Sequence, residues 1–131
     1  MDSPMENYTG ALAAADALKK RTKDFAIRIV KLSQALPRTD VGRTLGRQVL
    51  RSGTSVAANY RAVGRARSRA EFVSRIAVVV EEADETVFWL ELLVEAGVVP
   101  IKRLDSLIKE ANELLLLSAA SLRTARQKLR Q

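Results

Sequence analysis

Apolar residues return at every third or fourth position through almost the whole chain, and the repeat is cut at only three places: Leu36-Pro37, the stretch from Gly64 to Ser68, and the stretch from Gly97 to Pro100. A period near 3.6 builds helices, whereas strands need strict alternation, so the expectation is an all-α fold. The three cuts leave four helices. The first is expected from about Asp16 to Ala35, with Phe25, Ile29, Leu32 and Leu36 inward, and it stops because Pro37 pushes its predecessor out of the helical region. The second runs from about Val41 to Ala66 on a stripe of Leu45, Val49, Ser52, Val56, Asn59 and Val63, with Gly64 loosening its end. Ser68 caps the third, and Glu71 stands where a capping box would satisfy two otherwise orphan amides. That helix continues on Phe72, Ile76, Val79, Ala83, Val87, Leu90 and Val94 until Gly97, a natural left-handed stop. Pro100 opens the fourth, at a position where its missing amide costs nothing. Its inward stripe is Leu104, Leu107, Ala111, Leu114, Ser118, Leu122, Ala125 and Leu129.

Helices two to four each have room for about 25 to 30 residues, ~40 Å at the helical rise. Matched lengths and short loops predict an up-down-up-down four-helix bundle over residues 16–131. Residues 1–15, alanine-rich near their end, form an extension that either lengthens the first helix or stays loose. A chain of 131 residues fits one domain. Its N-terminus, MDSPMENYTG, has no basic stretch leading into an apolar run, so no signal peptide is expected. The longest aliphatic run, Leu114 to Leu117, falls far short of the roughly 18 residues of a spanning helix. A soluble protein is expected, with no membrane partner. The absence of cysteine fits a reducing cytoplasm.

The formal charge of +7 is unevenly placed. Between Arg38 and Arg75 lie nine arginines against two acids, Asp40 and Glu71, while the remainder of the chain is balanced. On a wheel at about 100° per residue, Arg43, Arg47, Arg51, Arg61 and Arg65 fall within an arc of roughly 80°, with Thr54 and Ala58 in the gap and the apolar stripe nearly opposite. The ladder is ~30 Å long, and Arg67 and Arg69 carry it into the turn. A solvated face is one reading. Such faces usually interleave glutamates to make i,i+4 pairs, and this one has none, which favours contact with phosphates of nucleic acid. Only Tyr60 places an aromatic ring among the arginines, so stacking on single-stranded bases draws little support.

Helix three presents Glu81, Asp84, Glu85, Glu91 and Glu95 roughly opposite its core stripe, with Phe88 inside the acidic arc and Trp89 beside it. Outward aromatics anchor subunit contacts, so Glu81, Asp84, Glu85, Phe88 and Trp89 are the candidate oligomer interface. The alternative is that one ring turns into a crevice between helices. An acidic face on one helix and a basic face on another suggest head-to-tail pairing between copies, which closes into a ring when the rotation permits and would then engage some arginines. Catalysis is not expected. The chain has no histidine and no cysteine, no P-loop and no GxGxxG, which removes most nucleophiles, bases and nucleotide cradles. No cofactor and no metal site are expected, because a di-metal bundle site wants inward Glu-x-x-His pairs. Ser52, Ser55 and Asn59 sit on or beside the inward stripe, where Asn59 is expected to bond across to another helix and fix register.

The runs RQVLRSGTSVAANYR, RARSRAEFVSRIA and EEADETVFWLELL resemble the family called four-helix bundle proteins, which includes those encoded in intervening sequences of bacterial 23S ribosomal RNA genes. The resemblance covers roughly residues 25 to 125 and rests on Gln48, Arg51-Ser52, Ser55, Asn59, Ser68, Glu71-Phe72 and the Glu81 to Glu85 cluster. It implies an up-down bundle assembled into a cyclic homopentamer. A diverged relative, the accessory variability protein of diversity-generating retroelements, implies nucleic acid and a reverse transcriptase as partners of basic surfaces. Many members carry Asn-Ile-Ala-Glu-Gly where this chain has Asn59-Tyr60-Arg61-Ala62-Val63, so an acid is lost and an arginine gained.

Overall fold

In the computed structural model the backbone is described for residues 4–130 and the side chains for residues 15–130. The described residues form four helices: α1 Pro4–Ala35, α2 Asp40–Val63, α3 Arg69–Glu95 and α4 Ile101–Arg130. Each packs along the next, and among the described residues α1 meets α4 only lightly, which makes that side a thin seam. Helix α1 reaches back to Pro4, and residues 1–3 of the expected extension lie outside the described residues.

The joints follow local chemistry. Thr39 caps α2, its hydroxyl accepting from the Gly42 amide at 3.0 Å. A Cβ at Gly42 would lie 2.1 Å from the Pro37 carbonyl oxygen, so only glycine lets the chain turn this tightly. Ser68 caps α3 and accepts from the Glu71 amide at 3.1 Å. The reciprocal half of the box is shifted, since Glu71 accepts from the amide of Arg67, not of Ser68. Gly97, at φ 74°, closes α3 as its sequence position foretold. Helix α2 ends at Val63, short of the expected Ala66, because the Arg65 and Ala66 amides turn back to Ala62 and Val63.

Among the described residues, two apolar clusters fill the interior. One gathers Phe25, Ile29, Val49, Leu90, Leu93 and Leu104; the other, toward the α2–α3 turn, gathers Val56, Val63, Ile76, Val79, Ala83 and Leu122. Leu129, expected inward, is exposed, because α4 there runs alongside the very start of α3, beyond the second cluster. Gly53 lets α1 and α2 approach closely, and a Cβ there would meet Ile29 at 2.8 Å. The register bond expected of Asn59 is made elsewhere. Asn59 donates to its own helix, to the Ser55 carbonyl at 2.8 Å. The buried Ser52 and Thr86 hydroxyls instead bond across α2 and α3 at 2.9 Å.

Candidate nucleic-acid interface

The outer face of α2 and the turn after it hold the arginine ladder, and Arg43, Arg47, Arg51, Arg61 and Arg65 are all exposed. Their surroundings differ. Arg43 lies 3.6 Å from Asp40 and donates to the Arg38 carbonyl at 2.9 Å. Arg51 reaches across to α3, where its guanidinium meets Glu82 at 3.3 Å and also Glu85. The Glu85 bond is the leading cause of a raised Arg51 pKa. Conversely, Arg51 holds the Glu85 carboxyl below its ordinary range, helped by the Trp89 indole, which donates to Glu85 at 3.1 Å. Arg51 is therefore a clasp between α2 and α3. Arg47, Arg61 and Arg65 have no carboxylate within ion-pair distance among the described residues.

Below the clasp the cations multiply. Arg67 lies 3.6 Å from Glu71, and Arg75 lies 2.9 Å from it. Glu71 is the single acid from Arg61 to Arg75; Arg75 first, then the Arg67 amide, hold its carboxyl low. Arg69 donates to the Lys128 carbonyl at 3.3 Å, so the end of α4 stands beside the start of α3. That end carries Arg123, Arg126, Lys128 and Arg130, and no acid occurs after Glu113. The C-terminus of α4 and the end of the α2 ladder thus make one basic pole. Cations at a helix C-terminus also suit its dipole, so the cluster is compatible with a stable α4. In the sequence these four side chains do not stand out, because acids of α1 and α3 offset them in number. The acid-free tail from Leu114 onward was the available signal.

On α3, Glu81, Asp84, Glu91 and Glu95 are exposed. Phe88 is 53% exposed and stands edge-on to Trp89, ring centroids 4.9 Å apart. Trp89 packs against the larger core cluster and takes the crevice position, leaving Phe88 as the outward ring. Glu85 and Trp89 are thus engaged within the chain. No helix among the described residues is long and apolar enough to cross a membrane.

Over residues 17–119 the chain matches the family described as 23S rRNA-intervening sequence protein. No curated protein matches it. Among solved structures it is similar to a protein of unknown function from the S23 ribosomal protein family of Bacteroides thetaiotaomicron VPI-5482, at 32% identity and a TM-score of 0.78, covering 83% of this chain and 97% of that one.

Proposed function

The chain belongs to the 23S rRNA-intervening sequence protein family, and from that premise we propose that it is a non-enzymatic, homo-oligomeric bundle of the cytoplasm that binds RNA or DNA through phosphate contacts at its basic pole. The ligands are Arg61, Arg65, Arg67 and Arg69, joined by Arg123, Arg126 and Lys128 of α4. One observation carries the reading: along one arginine ladder, on α2 and the turn after it, Arg51 is matched by two carboxylates, while Arg61 and Arg65 have none among the described residues. Unmatched cations gathered at one pole repel one another, and a polyanion relieves that repulsion while releasing its own counterions. The outward Phe88, ringed by acids, supports association between copies, and the family resemblance implies five of them.

A second reading is favoured by that same Phe88: a scaffold for a protein partner such as a reverse transcriptase, with the arginines in protein contacts. Light scattering for mass, together with binding of labelled RNA and duplex DNA at about 50 and 200 mM salt, separates the two. The nucleic-acid reading expects an oligomer whose affinity falls by about a hundredfold or more over that range. An oligomer that binds neither polymer would leave the scaffold.

A further inference from the structure

The thin seam between α1 and α4 is held at its middle. The Arg21 guanidinium forks onto Glu110 at 2.8 and 2.6 Å and reaches Glu113 at 3.0 Å, and Arg28 donates to Ser106 at 3.0 Å. From this clasp toward the basic pole the seam opens into a cleft of about 1080 Å³ to which all four helices contribute. Leu18, Val63, Phe72, Leu117, Ala120 and Ala125 make its wall mostly apolar. Charged groups also line it: Lys19, Arg21, Arg61, Arg65, Arg69 and Lys128 against the single acid Asp16 among the described residues. Apolar wall and a few convergent charges of one sign are the usual constitution of a small-ligand site, and bundles place such sites between helices.

We propose that this cleft binds an anionic amphiphile, an aliphatic chain lying along Leu18, Phe72 and Leu117 with a carboxylate or phosphate head on Arg61, Arg65 and Arg69. From Leu117 to Lys128 the α4 wall is ~16 Å long by helical rise, which accommodates an extended chain of about ten to twelve carbons. A nucleobase fits the wall poorly: its ring edges carry donors and acceptors that would face leucine and alanine without partners. The head shares Arg61 and Arg65 with the nucleic-acid surface, so the amphiphile and a polyanion compete for the pole. The cleft does not depend on that surface, and amphiphile binding is measured in the absence of nucleic acid.

Calorimetric titration of the full chain with sodium octanoate, decanoate and dodecanoate, below micelle formation, reads the site. Each added pair of methylenes is expected to tighten binding about tenfold, and decanol is expected to bind at least about tenfold more weakly than decanoate for want of a charge-assisted bond. Leu117→Arg, at a half-exposed wall position, abolishes binding, and Leu116→Arg, on a neighbouring side chain that is 70% exposed and outside the cleft, leaves it unchanged. Should circular dichroism find Leu117→Arg unfolded, Ala120→Phe fills the same cleft from an exposed position. Absence of saturable binding, affinity independent of chain length, equal affinity for decanol, or binding that survives the wall substitution each overturns the proposal. RNA affinity of folded Ala120→Phe, which fills the cleft without adding charge, is expected to match the parent, so failure of the cleft and failure of the nucleic-acid surface read out separately.

Discussion

Arg51 and Arg61 stand on the same arc of α2, point away from the same core, and meet opposite fates. Helix α3 runs antiparallel to α2, so at the level of Arg51 it presents Glu82 and Glu85. At the level of Arg61 and Arg65 it presents its own beginning, where Phe72 and Arg69 join them around the cleft. Wheel arithmetic tells which way a charge points. Whether that charge is neutralised depends on what the neighbouring helix offers at the same height, and only the antiparallel register decides that. Packing divides along the same line: mid-bundle, Gly53 sits against Ile29 and Ser52 bonds Thr86, whereas the pole opens into a cleft.

The sharpest way to break this contrast is to add bulk at each level. Gly53→Val places its Cβ about 2.8 Å from Ile29 carbons, and is expected to cost about 3 kcal/mol by urea unfolding, at the upper end of overpacking effects. Gly64 at the pole has helical φ and would set a Cβ no nearer than 3.6 Å to the Arg61 carbonyl; Gly64→Ala is therefore expected to be neutral or to stabilise by up to about 1 kcal/mol. Equal losses at both sites would mean the pole is packed as tightly as the middle.

Acid tests the clasps. Glu85 and Glu110 have carboxyls held below the ordinary 4.5, the first chiefly by Arg51 and the second chiefly by Arg21. Lowered folded values stabilise the native state above the unfolded carboxylate range, and that contribution is lost as pH falls through the folded values. The urea midpoint is expected to hold between pH 7 and 5 and to drop below about pH 4. Arg51→Met should flatten part of this drop and cost about 1 kcal/mol at neutral pH, a modest sum because the pair is half in solvent.

Much of the bundle was legible from the period of apolar residues and from Pro37, Ser68, Gly97 and Pro100, since each of these acts through its own backbone. The N-terminal limit of α1 was not, because no breaker precedes Asp16 and alanines tolerate either state. The role of Thr86 is not legible for a different reason: a threonine makes a register bond only when a hydroxyl such as that of Ser52 lies opposite. The basic pole was half visible. Arg61 to Arg69 declare themselves in one run, but Arg123, Arg126 and Lys128 join them only because α4 returns to the level of the α2–α3 turn.

The central claim is that phosphate binding belongs to the pole and not to the whole ladder. The measurement is the slope of log affinity against log salt for a labelled single-stranded RNA, taken for the parent, Arg51→Met and Arg61→Glu/Arg65→Glu, each first shown by light scattering to keep the parent's mass. Each lost phosphate contact shallows the slope by about 0.7 on a single strand. The pole reading predicts that Arg61→Glu/Arg65→Glu loses about a hundredfold in affinity near 50 mM salt and about 1.4 in slope, while Arg51→Met matches the parent in both. The contradicting result is the reverse: a slope lost in Arg51→Met and kept in Arg61→Glu/Arg65→Glu.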